Sequence, residues 1–390
     1  MAKKEQEKAH ALLSPSGAAR WMICTPSAVL ESQFPDKTSD AAEEGTLAHL
    51  LGETIIRNRL GRVSDKAFAD AMVNIKKHKF YSPEMLDYMN AYADFVLDEL
   101  TASRVICPDA EIEVEVQLNL SDYMQDAFGT GDIGIVSDKV LKVIDLKYGK
   151  GVKVSCVDNI QMKIYALGFL AIYDIAYDIE EVQMTIYQPR MDNISSYTMK
   201  VKDLRDWAEN ELKPKAKLAF DGLGEYVPSD KCQFCKAKNR CRALAMKNLE
   251  ALKYEFQDPD LLSDKEITEI LTYTDMLVSW ANSISGYALQ EALNGKKWEG
   301  FKLVEGRSVR VITDDEKAAE ILSKEGFTDE QIFTRKLAGI TSLEKLVSKA
   351  KFNELLAGLI DKPQGKPTLV PECDSRPEFN GIEQAKADFQ

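Results

Sequence analysis

Histidine is nearly missing from this chain, with three residues in 390, so any imidazole chemistry rests on very few positions. Positive charge is also in deficit: 50 lysines and arginines face 63 aspartates and glutamates, a formal net charge of −13. That balance argues against indiscriminate binding to duplex DNA, because a polyanion is drawn by lysine and arginine rather than by an average protein surface. A nucleic-acid role would need a local basic track. Long apolar runs are absent as well. The longest, Ile164 to Ile175, is broken by Asp174 and too short to span a bilayer, which predicts a buried helix behind a sheet and no membrane role. The opening MAKKEQEKAH is charged rather than apolar, so no secretory leader is expected. A cytoplasmic location then follows as an expectation, and in that reducing compartment seven cysteines favour metal binding over disulfides.

What is present suits a globular protein. The chain is 45% hydrophobic, ample for a core, and its length supports one large or two medium domains. Residues 1–12 are charged and expected to fray. Ser14-Pro15-Ser16 starts a helix predicted through about Ser32, and a second is predicted from about Ala41 to Arg59. Apolar residues recur with helical period from Ser82 to Ala102. Extended runs follow at 110–120, 130–137 and 140–147, then a helix around Gln161, strands near 181–188 and 195–201, and a helix from Lys202 to Phe220. The order is helix, three strands, helix, strand. Beyond about residue 250 the character changes to helices at 263–294, 314–323 and 342–359, a hairpin at 298–312 containing Arg307 and Arg310, and a proline-rich extended tail. The expected division is an N-terminal helical region over 1–105, a central region over 106–249 and a mostly helical C-terminal region over 250–390.

Chemistry concentrates in GTGDIGIVSDKVLKVIDLKYGKG. In the short β-run from Val143 to Lys147, side chains alternate faces, so Asp145 and Lys147 point the same way while Ile144 and Leu146 take the apolar face. Asp132 lies on the preceding run, and the polar Ser137-Asp138-Lys139 segment folds the two into a hairpin that sets Asp132 beside Asp145. Two carboxylates on neighbouring strands can hold a hard divalent cation such as Mg²⁺ or Mn²⁺, and a lysine beside them can orient a nucleophile and offset charge on a phosphate. Gln161 and Tyr165, four residues apart, share a helix face.

The order Gly131-Asp132, then Asp145-Leu146-Lys147-Tyr148-Gly149, then Gln161-x-x-x-Tyr165-Ala166 resembles the RecB-like branch of the PD-(D/E)xK nuclease superfamily, which includes AddB-type helicase-nuclease subunits and CRISPR-associated RecB-like exonucleases. Glu44-Gly45-Thr46-Leu47-Ala48-His49 matches that branch's upstream histidine. The resemblance implies an α/β fold whose restriction-endonuclease-like core is a mixed sheet flanked by helices. It further implies His49, Asp132 and Asp145 as metal ligands, Lys147 as the residue placing water, and Gln161 and Tyr165 at the strand-binding edge. Glu53 is placed to orient His49. The family often has an acidic residue on its first core strand; Glu113 and Glu115 both qualify, and neither is assigned as a ligand.

Cys232-x-x-Cys235, followed after five intervening residues by Cys241, forms a second constellation, with five basic residues from Lys231 to Arg242. The spacing suits zinc and an iron-sulfur cluster equally. Iron-sulfur members of the RecB-like branch carry one cysteine upstream of the core and three downstream at this spacing. The resemblance therefore implies a [4Fe-4S] cluster held by Cys24, Cys232, Cys235 and Cys241, closing a loop of roughly 200 residues. Cys107, Cys156 and Cys373 have no such company and are expected to be buried or incidental. LSPSGAARWMIC and the tail together resemble an uncharacterised family encoded in phages and prophages. The implied activity is a metal-dependent exonuclease acting on single-stranded DNA ends in phage recombination, replication or repair, with recombination or single-strand-binding proteins as partners. The competing expectation is a dormant DNA-binding or assembly scaffold. Basic track candidates are Lys142, Lys147, Lys150 and Lys153, and the Lys231–Arg242 segment.

Overall fold

A computed structural model of the chain describes residues 11–35, 39–250, 263–272 and 274–301, with isolated positions beyond. It divides into two compact units, Met1–Ala288 and Leu289–Gln390. Residues 1–10, Arg307, Arg310, Cys373, most of the segment predicted as a hairpin at 298–312, the predicted later helices and the predicted extended tail lie outside the described residues.

The chain enters through a short 3₁₀ turn, Pro15–Gly17, and then α1 (Ala18–Trp21), α2 (Ser27–Glu31), α3 (Asp40–Arg59), α4 (Asp65–Lys76) and α5 (Pro83–Ile106). Three strands follow: β1 (Glu111–Asn119), β2 (Phe128–Ser137) and β3 (Val140–Leu146). Helix α6 (Ile160–Tyr173) crosses to β4 (Glu181–Gln188) and β5 (Asn193–Lys200). A helical run then comprises α7 (Val201–Trp207), a π-helical turn (Ala208–Leu212) and α8 (Lys213–Phe220), where Pro214 has no amide to give the residue four before it. Three further helices are α9 (Arg242–Leu249), α10 (Asp264–Leu271) and α11 (Thr274–Leu293).

One expectation changes. The predicted helix through Ser32 breaks between Trp21 and Ser27, because Pro26 lacks an amide and disfavours helical backbone at Thr25. Leu13, the first residue after the segment expected to fray, is fully buried. Helix α4 is an element that the sequence pattern did not announce, although Ser64 caps it by accepting from the Ala67 amide and Phe68, Met72 and Ile75 repeat at helical spacing.

The sheet order is β1-β2-β3-β4-β5, antiparallel except for the parallel β3–β4 pair that α6 connects, so the fold is α/β with a mixed sheet flanked by helices. Each face carries its own core. One gathers Leu47, Leu51, Met89, Ile133, Ile144 and Leu146 beneath α3 and α5. The other gathers Val136, Val143, Ile164, Phe169, Met184 and Ile186 beneath α6. Helix α6 is apolar on nearly every side and buried accordingly, as its composition predicts.

Close approach of α6 requires glycine. A Cβ on Gly134 would stand 2.4 Å from the Phe169 ring and one on Gly131 2.6 Å from it, so the ring lies directly on bare strand. Gly134→Ala should therefore destabilise the fold by about 1–3 kcal/mol through overpacking, read as a lowered thermal midpoint. Pairing it with Phe169→Leu should recover part of the loss, and a neutral Gly134→Ala would contradict this packing.

Candidate metal centre

The site grows from one failed rung of the sheet. Pairing of β1 with β2 runs in unbroken register from Glu111↔Val136 to Asn119↔Phe128 except where Glu115 faces Asp132. Glu115 has φ +48°, a left-handed backbone that a glutamate adopts only under constraint. Both strands change faces there. Ile112 and Val114 belong to the core under α3, whereas Val116 and Leu118 pack against the core under α6, although strict alternation would keep all of them together. The neighbouring β2–β3 ladder stops at Ile133↔Ile144. Beyond that rung, the Leu146 amide donates to Asp132 Oδ2 at 2.7 Å instead of to a strand carbonyl.

His49, on α3, closes this opening. Its Nδ1 lies 3.4 Å from Asp132 Oδ2 and 3.5 Å from Glu115 Oε1. Among the described residues, His49, Glu115 and Asp132 form a set whose ligand atoms all lie within 4.8 Å of one another and could hold a metal ion. Helix α3 is seated over the site by Arg190, which donates to Glu44 at 2.8 Å and stacks over the Tyr148 ring at 4.6 Å. Arg190 was not singled out from sequence, since nothing local marks it.

On the other side, Asp145 is 2% exposed and its Oδ2 lies 2.7 Å from Lys147 Nζ. Lys147 donates to Gln161 Oε1 at 3.2 Å, and Gln161 Nε2 donates to the Tyr165 hydroxyl at 3.0 Å. All six residues expected from sequence thus gather around the C-terminal end of β3. Within that group Asp145 is turned to Lys147, and Glu115 stands with His49 and Asp132. Glu53 does not orient His49: it pairs with Arg57 at 2.8 Å, and Arg57 donates to the Val114 carbonyl just before the break. Lys142 is engaged by Glu99 at 2.8 Å, whereas Lys150 and Lys153 are exposed.

The electrostatics are strained toward too much negative charge. Burial raises the pKa of Asp145, against the pull of Lys147, and Asp132 adds to it. Burial likewise raises Glu115, against the pull of His49. For His49 burial works downward, but the Asp132 and Glu115 carboxylates outweigh it and hold the ring up at about 11. For Lys147 burial also works downward, and Asp145 outweighs it to leave the amine above its ordinary value. Carboxyls pushed toward their neutral forms around an imidazole held in its charged form show that the cradle concentrates negative charge, which a bound cation would relieve.

The second constellation also assembles. Cys24, in the break between α1 and α2, lines one pocket with Cys232, Cys235 and Cys241. Burial pushes the Cys24 thiol up and the Cys235 thiol up to about 12. The N-terminal segment is tied to the cysteine segment by Glu31, which accepts from the Lys236 amide at 2.8 Å, and by Thr25, which donates to the Leu223 carbonyl at 2.6 Å. Gly224 beside it has φ +103°, and a Cβ there would stand 2.2 Å from Thr25 Oγ1. Cys107 and Cys156 are buried elsewhere, the latter donating to the Met184 carbonyl. No described helix is long and apolar enough to cross a membrane.

Comparison with known proteins gives a weak structural likeness and a strong family match. A solved structure titled "Crystal structure of SSO0001" aligns at 15% identity over 50% of this chain and 85% of that one, with a TM-score of 0.24. The family described as "Protein of unknown function (DUF2800)" matches residues 10–377, nearly the whole length, and the chain belongs to that family.

Proposed function

We propose that the chain is a Mg²⁺- or Mn²⁺-dependent deoxyribonuclease of PD-(D/E)xK type that hydrolyses DNA from single-stranded ends, serving phage recombination, replication or repair. The observation that carries this reading is the convergence of His49, Glu115 and Asp132 at the broken rung with the Asp145–Lys147 pair beside them. Bound in this cradle, a divalent cation supplies Lewis-acid polarisation of a phosphate and of water. His49, Glu115 and Asp132 would hold it, and Asp145 borders them across the sheet.

The chain's own residues do the rest. Lys147, kept protonated by Asp145, orients water toward phosphorus and offsets the charge that grows on the phosphate. Gln161 fixes Lys147 by accepting from it, and Tyr165 fixes Gln161 in turn. Lys150 and Lys153 lie exposed on the segment leaving β3, in position to follow a strand backbone. A second basic stretch, Lys231–Arg242, presents Phe234 at 63% exposure, a stacking face for a base.

Asp145→Ala, Lys147→Ala and Glu115→Gln should each cut Mn²⁺-dependent degradation of end-labelled single strands by at least about 100-fold while leaving the fold intact. Glu53→Gln should stay close to wild type. Wild-type cleavage by the first three variants would defeat the assignment. Salt-sensitive binding with no cutting by the wild type would replace it with the scaffold reading.

For the cysteine pocket the resemblance favours a [4Fe-4S] cluster over zinc, held by Cys24, Cys232, Cys235 and Cys241. Its role would be structural, clamping the N-terminal segment to the chain that leaves the core. Anaerobically purified protein should be brown and contain iron and sulfide. Cys24→Ser should lose both and unfold at lower temperature. A colourless anaerobic preparation with stoichiometric zinc would reverse the cofactor assignment.

A further inference from the structure

Tyr92 sits in α5 at 3% exposure, and its hydroxyl is buried without a hydrogen-bond partner. A buried O–H with no acceptor is costly and uncommon, so its position needs a reason. The ring lies between α3, which carries His49, and β4. It packs on Gly52, 3.3 Å from where a Cβ would stand, and Gly52 lies one helical turn after His49. Its other neighbour is the Tyr187 ring, centroids 5.2 Å apart, and Tyr187 pairs with Leu146, whose amide Asp132 accepts. Burial does most to keep the hydroxyl protonated, and the charges of Asp132, Asp145, Glu115 and Tyr187 add to it in that order. A buried donor without a partner thus sits next to the helix that delivers His49, in the field of carboxylates with lone pairs to spare.

We infer that Tyr92 is a buried positioning residue of the candidate metal centre, its hydroxyl donating to the acidic side chains that surround a bound cation. The inference rests on the metal-centre reading and extends it to a residue on a separate helix. His49, Glu115 and Asp132 would hold the cation, and the Tyr92 hydroxyl would serve a carboxylate beside it as an outer hydrogen-bond donor. Such outer hydrogen bonds orient ligands and sharpen affinity.

The test uses the full chain, Mn²⁺ alone as probe, and Tyr92→Phe, which keeps the ring and removes only the oxygen. In the metal-free protein the thermal midpoint should stay level or rise, because an unsatisfied buried group is removed. Calorimetric titration should show Mn²⁺ binding weakened by roughly 10–100-fold, the range for loss of an outer-sphere partner. The Mn²⁺-induced rise in midpoint should shrink in step. If the wild type binds Mn²⁺ and Tyr92→Phe binds it equally well, the inference falls while the metal centre stands. A lowered metal-free midpoint with unchanged Mn²⁺ affinity would likewise overturn it, marking Tyr92 as packing only. A wild type that takes up no Mn²⁺ would overturn both.

Discussion

The arrangement at the centre of this protein depends on one missing pair in a β-ladder. Where Glu115 faces Asp132 the strands cannot both continue their alternation and serve the cores they serve on either side. The left-handed backbone at Glu115 resolves the conflict by turning β1 over. Such a conformation costs on the order of 1–3 kcal/mol and persists only where its surroundings hold it. Here Arg57 and Arg62 donate to the Val114 and Ile112 carbonyls of the same edge strand, at 2.8 Å and 2.6 Å. These contacts also occupy acceptors of β1 that could otherwise recruit another strand. The released side chain of Glu115 then reaches the gap that the failed rung opens.

Division of labour between the two faces follows from that gap. Helix α3 approaches from one side and delivers His49, while α6 approaches from the other and supports Lys147 through Gln161 and Tyr165. The sheet lies between them, so the carboxylates on its strands are shared by an imidazole above and an amine below. Burying such acids costs several kcal/mol for each ion unless they are paired or bound to a cation. Lys147 answers for Asp145. Asp132 has the Leu146 amide and part of His49, and Glu115 has the other part, which leaves the acidic set undersupplied.

Much of this was legible in the sequence because the informative residues obey local rules. Period-2 alternation around Asp145 placed it with Lys147, and the spacing of Gln161 and Tyr165 put them on one helix face; both relations hold. The strands near 110–120, 130–137 and 140–147 were readable from β-branched runs between turn residues. What was not readable depends on tertiary geometry. Nothing in EIEVEVQL distinguishes Glu113 from Glu115, because the choice is made by a backbone reversal that no single-strand pattern encodes. Glu53 looked like a partner for His49 at one helical turn, yet Arg57, one turn further, competes for it and wins with an ion pair. Tyr92 read as one more apolar position in α5, since its ring does pack in the core and only its oxygen is out of place.

The two constellations, distant in sequence, meet through the N-terminal hook. The Trp21 indole donates to the Ser14 carbonyl, and Arg20 pairs with Glu31, which in turn accepts from the cysteine segment. At the other end of the hook, a Cβ on Gly129 would stand 2.8 Å from Pro15 and 3.3 Å from the Tyr165 ring, so Pro15 and Tyr165 crowd the same point on β2. Tyr165 holds Gln161, and Gln161 holds Lys147. A clamp at the cysteines therefore restrains more than a chain end: it keeps Pro15 seated against the side chain that fixes the amine of the candidate site. The entropy of the loop of roughly 200 residues between Cys24 and Cys232 is what such a clamp opposes. That gives a physical reason for a pocket of thiols so far along the chain from the acids whose geometry it steadies.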